Sequence, residues 1–149
     1  MKILLLSPAG SFATSVDSLK IDGVIDEATG VSATATDAGA ALVVLRLGSR
    51  ALPPRNRVSS LLEGSVVGRN LKRLTPLDGG LRFAAAARKN PEFRTAVREA
   101  DLIVALERDA VLTAWTALRR WGRPDARGVF GLAPARALLT SDRAGRTEL

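Results

Sequence analysis

The sequence predicts an α/β domain of three layers, with helices flanking a mainly parallel sheet. Three observations carry this. Short apolar runs are bounded by turn formers, stretches of helical periodicity separate them, and the second half alternates helix, strand, helix, strand. That alternation favours right-handed crossovers between parallel strands. The chain has 149 residues, the usual size of one domain with room for a core. No repeat or boundary divides it, and residues 135–149 are expected to form a loosely packed tail.

Residues 2–8 (KILLLSP) form a continuous apolar run stopped by turn formers, the pattern of a strand covered on both faces. Ala9, Gly10 and Ser11 then allow a tight loop. Over Val16–Thr29, Val16, Leu19, Val24, Ile25 and Ala28 recur at helical spacing despite Gly23. Ala33–Ala40 is nearly featureless. Ala41–Leu47 (ALVVLRL) is the next strand, and Pro53-Pro54 forbids a helix through that point. Arg55–Leu74 reads as one or two helices with a basic polar side.

Thr75–Gly80 is a loop or helix start, followed by an alanine-rich helix over Leu81–Lys89. Asn90 caps a further helix, Pro91–Ala100, with proline in its first turn. Asp101–Glu107 (DLIVALE) is a strand. Asp109–Trp121 is a helix in which Val111, Leu112, Trp115 and Leu118 recur at helical spacing, ended by Gly122 and Pro124. Arg127–Leu132 is another strand, and Pro134–Leu139 a short helix before the end frays.

Composition narrows the chemistry. Apolar residues make up 46% and charged residues 25%, ordinary globular values. Cysteine, histidine and tyrosine are absent. Disulfides, thiolate nucleophiles and imidazole bases or ligands are therefore excluded, and no metal site is expected. Proton transfer would fall to Asp, Glu, Lys, water or substrate. The net charge of +7 accompanies polyanion binding in many proteins. An alanine-, glycine-, valine- and arginine-rich composition typical of GC-rich genomes produces the same surplus without binding. Met1–Ala9 lacks the length and cleavage pattern of a signal peptide, and no apolar stretch reaches the roughly 20 residues of a spanning helix. The expected location is cytoplasmic, with peripheral contact at the inner face of an anionic membrane as an option.

Ligands of parallel sheets sit beyond the carboxyl ends of the strands. That edge presents Ser7–Phe12, Gly48–Ala51, Glu107–Asp109 and Leu132–Pro134. The loop SPAGS at 7–11 is small enough to approach a phosphate or sugar, or is a plain strand-to-helix turn. It contains neither a dinucleotide nor a P-loop motif. Glu107 and Asp109 would accept hydrogen bonds from sugar hydroxyls or act as a base; alternatively Asp109 caps the helix beside it. Arg55–Arg73 joins an apolar face to flanking cations, as in interfacial helices on anionic lipid, or is a core-facing helix with a solvated basic side. Trp115 is assigned to the core and Trp121 to a partly exposed helix end. Aromatics interleaved with the cations are missing, which tells against nucleic-acid binding.

KILLLSPAGS, followed by ADLIVALERDAV and an arginine-rich helix, resembles the amino-terminal half of GT-B glycosyltransferases, in particular actinobacterial members of the retaining nucleotide-sugar group. The resemblance covers about two-thirds of the chain. It implies a single Rossmann-like domain that holds the acceptor. The donor would be gripped by a second domain carrying two glutamates separated by seven residues. Glu99 and Glu107 have that spacing, but their predicted positions at a helix end and a strand end make it a coincidence. The family's glycine-rich loop is reduced here to Ala9-Gly10-Ser11. What the resemblance implies is an acceptor-binding half that needs a donor-binding domain or subunit for sugar transfer. The nucleotide-sugar donor would bind that partner, and no cofactor would bind this domain. Ala9, Gly10, Ser11, Glu107 and Asp109 would position the acceptor, Arg50 would meet an anionic group on it, and no catalytic residue is identified. The competing readings are a non-catalytic interaction or regulatory module and a basic domain on membrane or nucleic acid. An apolar docking face left open would drive homo-oligomerisation.

Overall fold

The structure, a computed structural model, describes residues 1–10, 12–19, 27–33, 41–45 and 79–147. Strands β1 (Ile3–Leu6), β2 (Ala28–Ser32), β3 (Ala41–Val44), β4 (Leu102–Ala105) and β5 (Arg127–Phe130) form one sheet in the order β3-β2-β1-β4-β5. All four pairings are parallel. The helices are α1 (Ala13–Leu19), α2 (Gly79–Lys89), α3 (Pro91–Glu99), α4 (Val111–Trp121) and α5 (Leu132–Thr147), with a 3-10 turn at Arg108–Ala110 before α4. This is a Rossmann-like α/β arrangement.

The alternation of strand side chains explains the layers. Leu4, Leu6, Val31, Ile103 and Ala105 point to one face, where they meet Phe83, Ala87, Phe93, Val97 and Ala117 of α2, α3 and α4. Ile3, Leu5, Leu102 and Val104 point to the other, where Phe12, Val16 and Leu19 pack with Ala135 and Leu139 of α5. Every residue of β1 and β4 is buried, as expected of central parallel strands. Asn90 caps α3 as expected, its side chain accepting from the Phe93 amide at 2.9 Å.

Several expectations are corrected. The predicted helix over Val16–Thr29 is interrupted: α1 ends its described span at Leu19, and Ala28 and Thr29 belong to β2, a strand the pattern did not disclose. Val31 is its only large apolar residue, and Gly30 lies where Phe12 and Leu42 come within 3.4 Å of the position a Cβ would take. Close approach, not hydrophobicity, marks this strand. The α4 stripe is corrected in part, since of its four residues only Leu118 packs against the core. The helix's buried residues are Thr113 and Ala117, whereas Val111 (41%), Leu112 (39%) and Trp115 (57%) are exposed. Trp115 is therefore not a core residue. Trp121 is partly buried, edge-on to Phe93. The last helix runs through Thr147 rather than stopping at Leu139, with Ala135 and Leu139 in the core. The helices expected over Arg55–Leu74 lie outside the described residues.

Candidate functional site

Strand order decides where a crevice opens. From β1 the chain passes to α1 on one face and on to β2; from β4 it passes to α4 on the opposite face and on to β5. β1 and β4 are neighbours, so their exits diverge and the carboxyl ends between them form the topological switch point.

The β1 exit is tightly organised. Ser7 donates its amide to Val31 at 3.0 Å, and Gly10 donates to the Ser7 carbonyl at 3.0 Å. The Gly10 amide also reaches Ser7 Oγ at 3.0 Å. This turn holds Gly10 at φ 85°, a left-handed conformation that glycine adopts without steric penalty. The Phe12 amide closes onto the Gly10 carbonyl at 3.0 Å. The amides of Gly10 and Phe12 are thus committed within the loop, unlike those of a phosphate-binding nest, whose amides point at the ligand.

Ser7 links the two exits. Its hydroxyl, fully buried, accepts from Gly10 and donates to Glu107 Oε1 in a short hydrogen bond. Glu107 itself is half-buried. One carboxylate oxygen is anchored by Ser7, and Oε2 makes no hydrogen bond among the described residues. The arrangement offers a positioned anionic acceptor at the mouth of the switch point. Sequence reasoning quoted Ser7 in the loop but did not assign it to the site. The available signal was its place as the first polar residue after a buried strand, on the ligand edge.

Asp109 goes elsewhere. It lies in the 3-10 turn, and α4 begins after Ala110 with no side-chain cap, so Asp109 does not cap the helix that follows it. Its Oδ2 lies 2.6 Å from the point a Cβ on Gly79 would occupy, at the first residue of α2. The carboxylate therefore lies against the first described residue of a different helix. Glu107 and Asp109 share an edge but diverge, one toward β1 and the other toward α2. Ala9 is exposed at the tip of the β1 loop and Gly10 is buried beneath it. Ser11 and Arg50 lie outside the described residues.

Glu99 sits at the opposite edge of the sheet from Glu107. It ends α3 and hydrogen-bonds Lys2 Nζ at 3.0 Å. With Glu27 and Glu99 around Lys2, and Asp101 paired to Arg123 at 2.8 Å, this edge is an ion-pair cluster. The two glutamates cannot act on one ligand, so their spacing is indeed incidental.

Among the described residues no group of three or more acidic side chains is gathered so that it could hold a metal ion, and no helix is long and apolar enough to cross a membrane. No family model matches the chain, and neither the curated proteins nor the solved structures yield a match.

Proposed function

We propose that this chain is the acceptor-binding domain of a sugar-transferase-type enzyme, holding a polyhydroxylated acceptor at the β1–β4 switch point. The observation that carries the reading is the Ser7–Glu107 pair, in which one carboxylate oxygen is held by Ser7 and the other makes no hydrogen bond among the described residues. A carboxylate positioned in this way accepts hydrogen bonds from sugar hydroxyls, and ionised acceptors form the stronger bonds. The internally bonded amides of Gly10 and Phe12 favour a hydroxyl-bearing ligand over a phosphate. The resemblance to GT-B amino-terminal domains supplies the class of reaction.

In this reading the domain contributes positioning. Ser7 orients Glu107, Glu107 aligns an acceptor hydroxyl, and the loop at Pro8–Gly10 shapes the wall. Stabilisation of the leaving diphosphate would come from a donor-binding partner domain or subunit. The test is titration of the chain with a panel of methyl hexosides, followed by amide NMR, with uridine diphosphate as the donor-side control. Hexoside binding should shift the resonances of Ser7, Gly10 and Glu107. Glu107→Ala should weaken binding about tenfold or more, the equivalent of one charged hydrogen bond. Unchanged affinity in Glu107→Ala, or turnover of a nucleotide sugar by the chain alone, would overturn the proposal.

A further inference from the structure

Helix α4 turns part of its apolar pattern outward, while Leu118 and Trp121 still pack against the core. Small residues, Ala110, Thr113 and Ala117, face the core, where α4 packs against the alanine-rich α2. The large apolar residues Val111, Leu112 and Trp115 are left on the outside. Burial of large side chains is the main favourable term in folding, so their display on an ordered helix calls for an occupant.

Charge selects the occupant. Exposed Arg108 and Arg119 lie at the two ends of the stripe. The Arg119 guanidinium stacks over the Trp115 ring, 5.1 Å from its centroid. Neither arginine is ion-paired among the described residues. Neither α2 nor α4 contains an acidic residue. The carboxylates that precede α4 in the chain lie elsewhere, Glu107 bonded to Ser7 and Asp109 beside Gly79. Pairing the stripe with a second copy, antiparallel or parallel, would oppose arginine to arginine. An anionic partner relieves that repulsion instead.

We infer that the Arg108–Val111–Leu112–Trp115–Arg119 face of α4 is a docking surface for an anionic lipid bilayer. Tryptophan suits the boundary between headgroups and acyl chains, and arginines at both ends meet the lipid phosphates. The net charge of +7 adds long-range attraction to the same surface. The surface lies on the helix that follows the Glu107 loop, which would bring the crevice close to the membrane.

The experiment is co-sedimentation of the intact chain with phosphatidylcholine vesicles, with and without phosphatidylglycerol. Pelleting is expected only with the anionic vesicles and should decline as salt is raised. Trp115→Ala, at an exposed position whose folding is checked by circular dichroism, should weaken binding about tenfold. Arg108→Gln and Arg119→Gln should each weaken it about fivefold, the effect of one cation near such a surface. Absence of pelleting, equal binding to neutral vesicles, or full binding by folded Trp115→Ala would overturn the inference. So would a Trp115-dependent dimer seen by light scattering without lipid, which would assign the face to self-association. None of these readouts depends on acceptor binding at Glu107.

Discussion

Removing the Ser7 hydroxyl tests whether the two halves of the crevice are coupled. In Ser7→Ala the carboxylate of Glu107 loses its protein donor. The Gly10 amide keeps a partner in the Ser7 carbonyl at 3.0 Å, so no buried donor is orphaned. A hydrogen bond to a charged group contributes about 1.5–3 kcal/mol, and Glu107 is half-exposed, so water recovers part of that on mutation. The expected coupling between Ser7 and Glu107 is about 1–2 kcal/mol. It is measured by a double-mutant cycle of Ser7→Ala, Glu107→Ala and the double variant, with urea unfolding followed by tryptophan fluorescence. Additivity within about 0.5 kcal/mol would mean that the two groups do not support each other, and the reading of Ser7 as the residue orienting Glu107 would fail.

Other outcomes follow from the packing. The Thr113 hydroxyl is buried with no hydrogen-bond partner among the described residues. Thr113→Val should therefore stabilise the protein by about 1–2 kcal/mol, seen as a rise in melting temperature, whereas a fall would show that the hydroxyl is satisfied. Gly10→Ala should cost about 1–2 kcal/mol, because a Cβ is strained at its positive φ; a neutral result in urea unfolding would refute the turn geometry. The Lys2 pKa is raised above 10.5, first by the hydrogen bond to Glu99 and then by Glu27. Its ion pairs thus contribute stability that is fully present below the unfolded value and is lost as pH rises through the folded one. Thermal melts across that alkaline window should show this loss in the native chain and less of it in Lys2→Met. The absence of tyrosine and cysteine removes two other groups that would titrate at high pH.

The sheet was legible where strands are buried on both faces, because β1 and β4 are continuous apolar runs. β2 was not legible, because its place is secured by a glycine that admits Phe12 and by backbone pairing to β1 and β3. For α4 the helical period was right, but the direction held only for Leu118 and failed for Val111, Leu112 and Trp115. Alanine and threonine form the buried side against another alanine-rich helix, so residue size misled where helix–helix closeness ruled. At the site, the carboxyl-edge position of Glu107 followed from topology. Its partner did not: Ser7 and Glu107 are 100 residues apart in sequence, and their meeting depends on β1 and β4 being neighbours. The displacement of Asp109 arises from the 3-10 turn, which rotates it toward Gly79 before α4 begins.

The central claim is that the switch-point carboxylate receives acceptor hydroxyls. The most direct measurement is hexoside titration of the native chain and Glu107→Ala side by side, read by amide NMR. Shifts are expected at Ser7, Gly10 and Glu107 in the native chain, with an affinity about tenfold lower or worse in the variant. Equal affinity in both, or shifts confined to the Lys2–Glu99 edge, would contradict it.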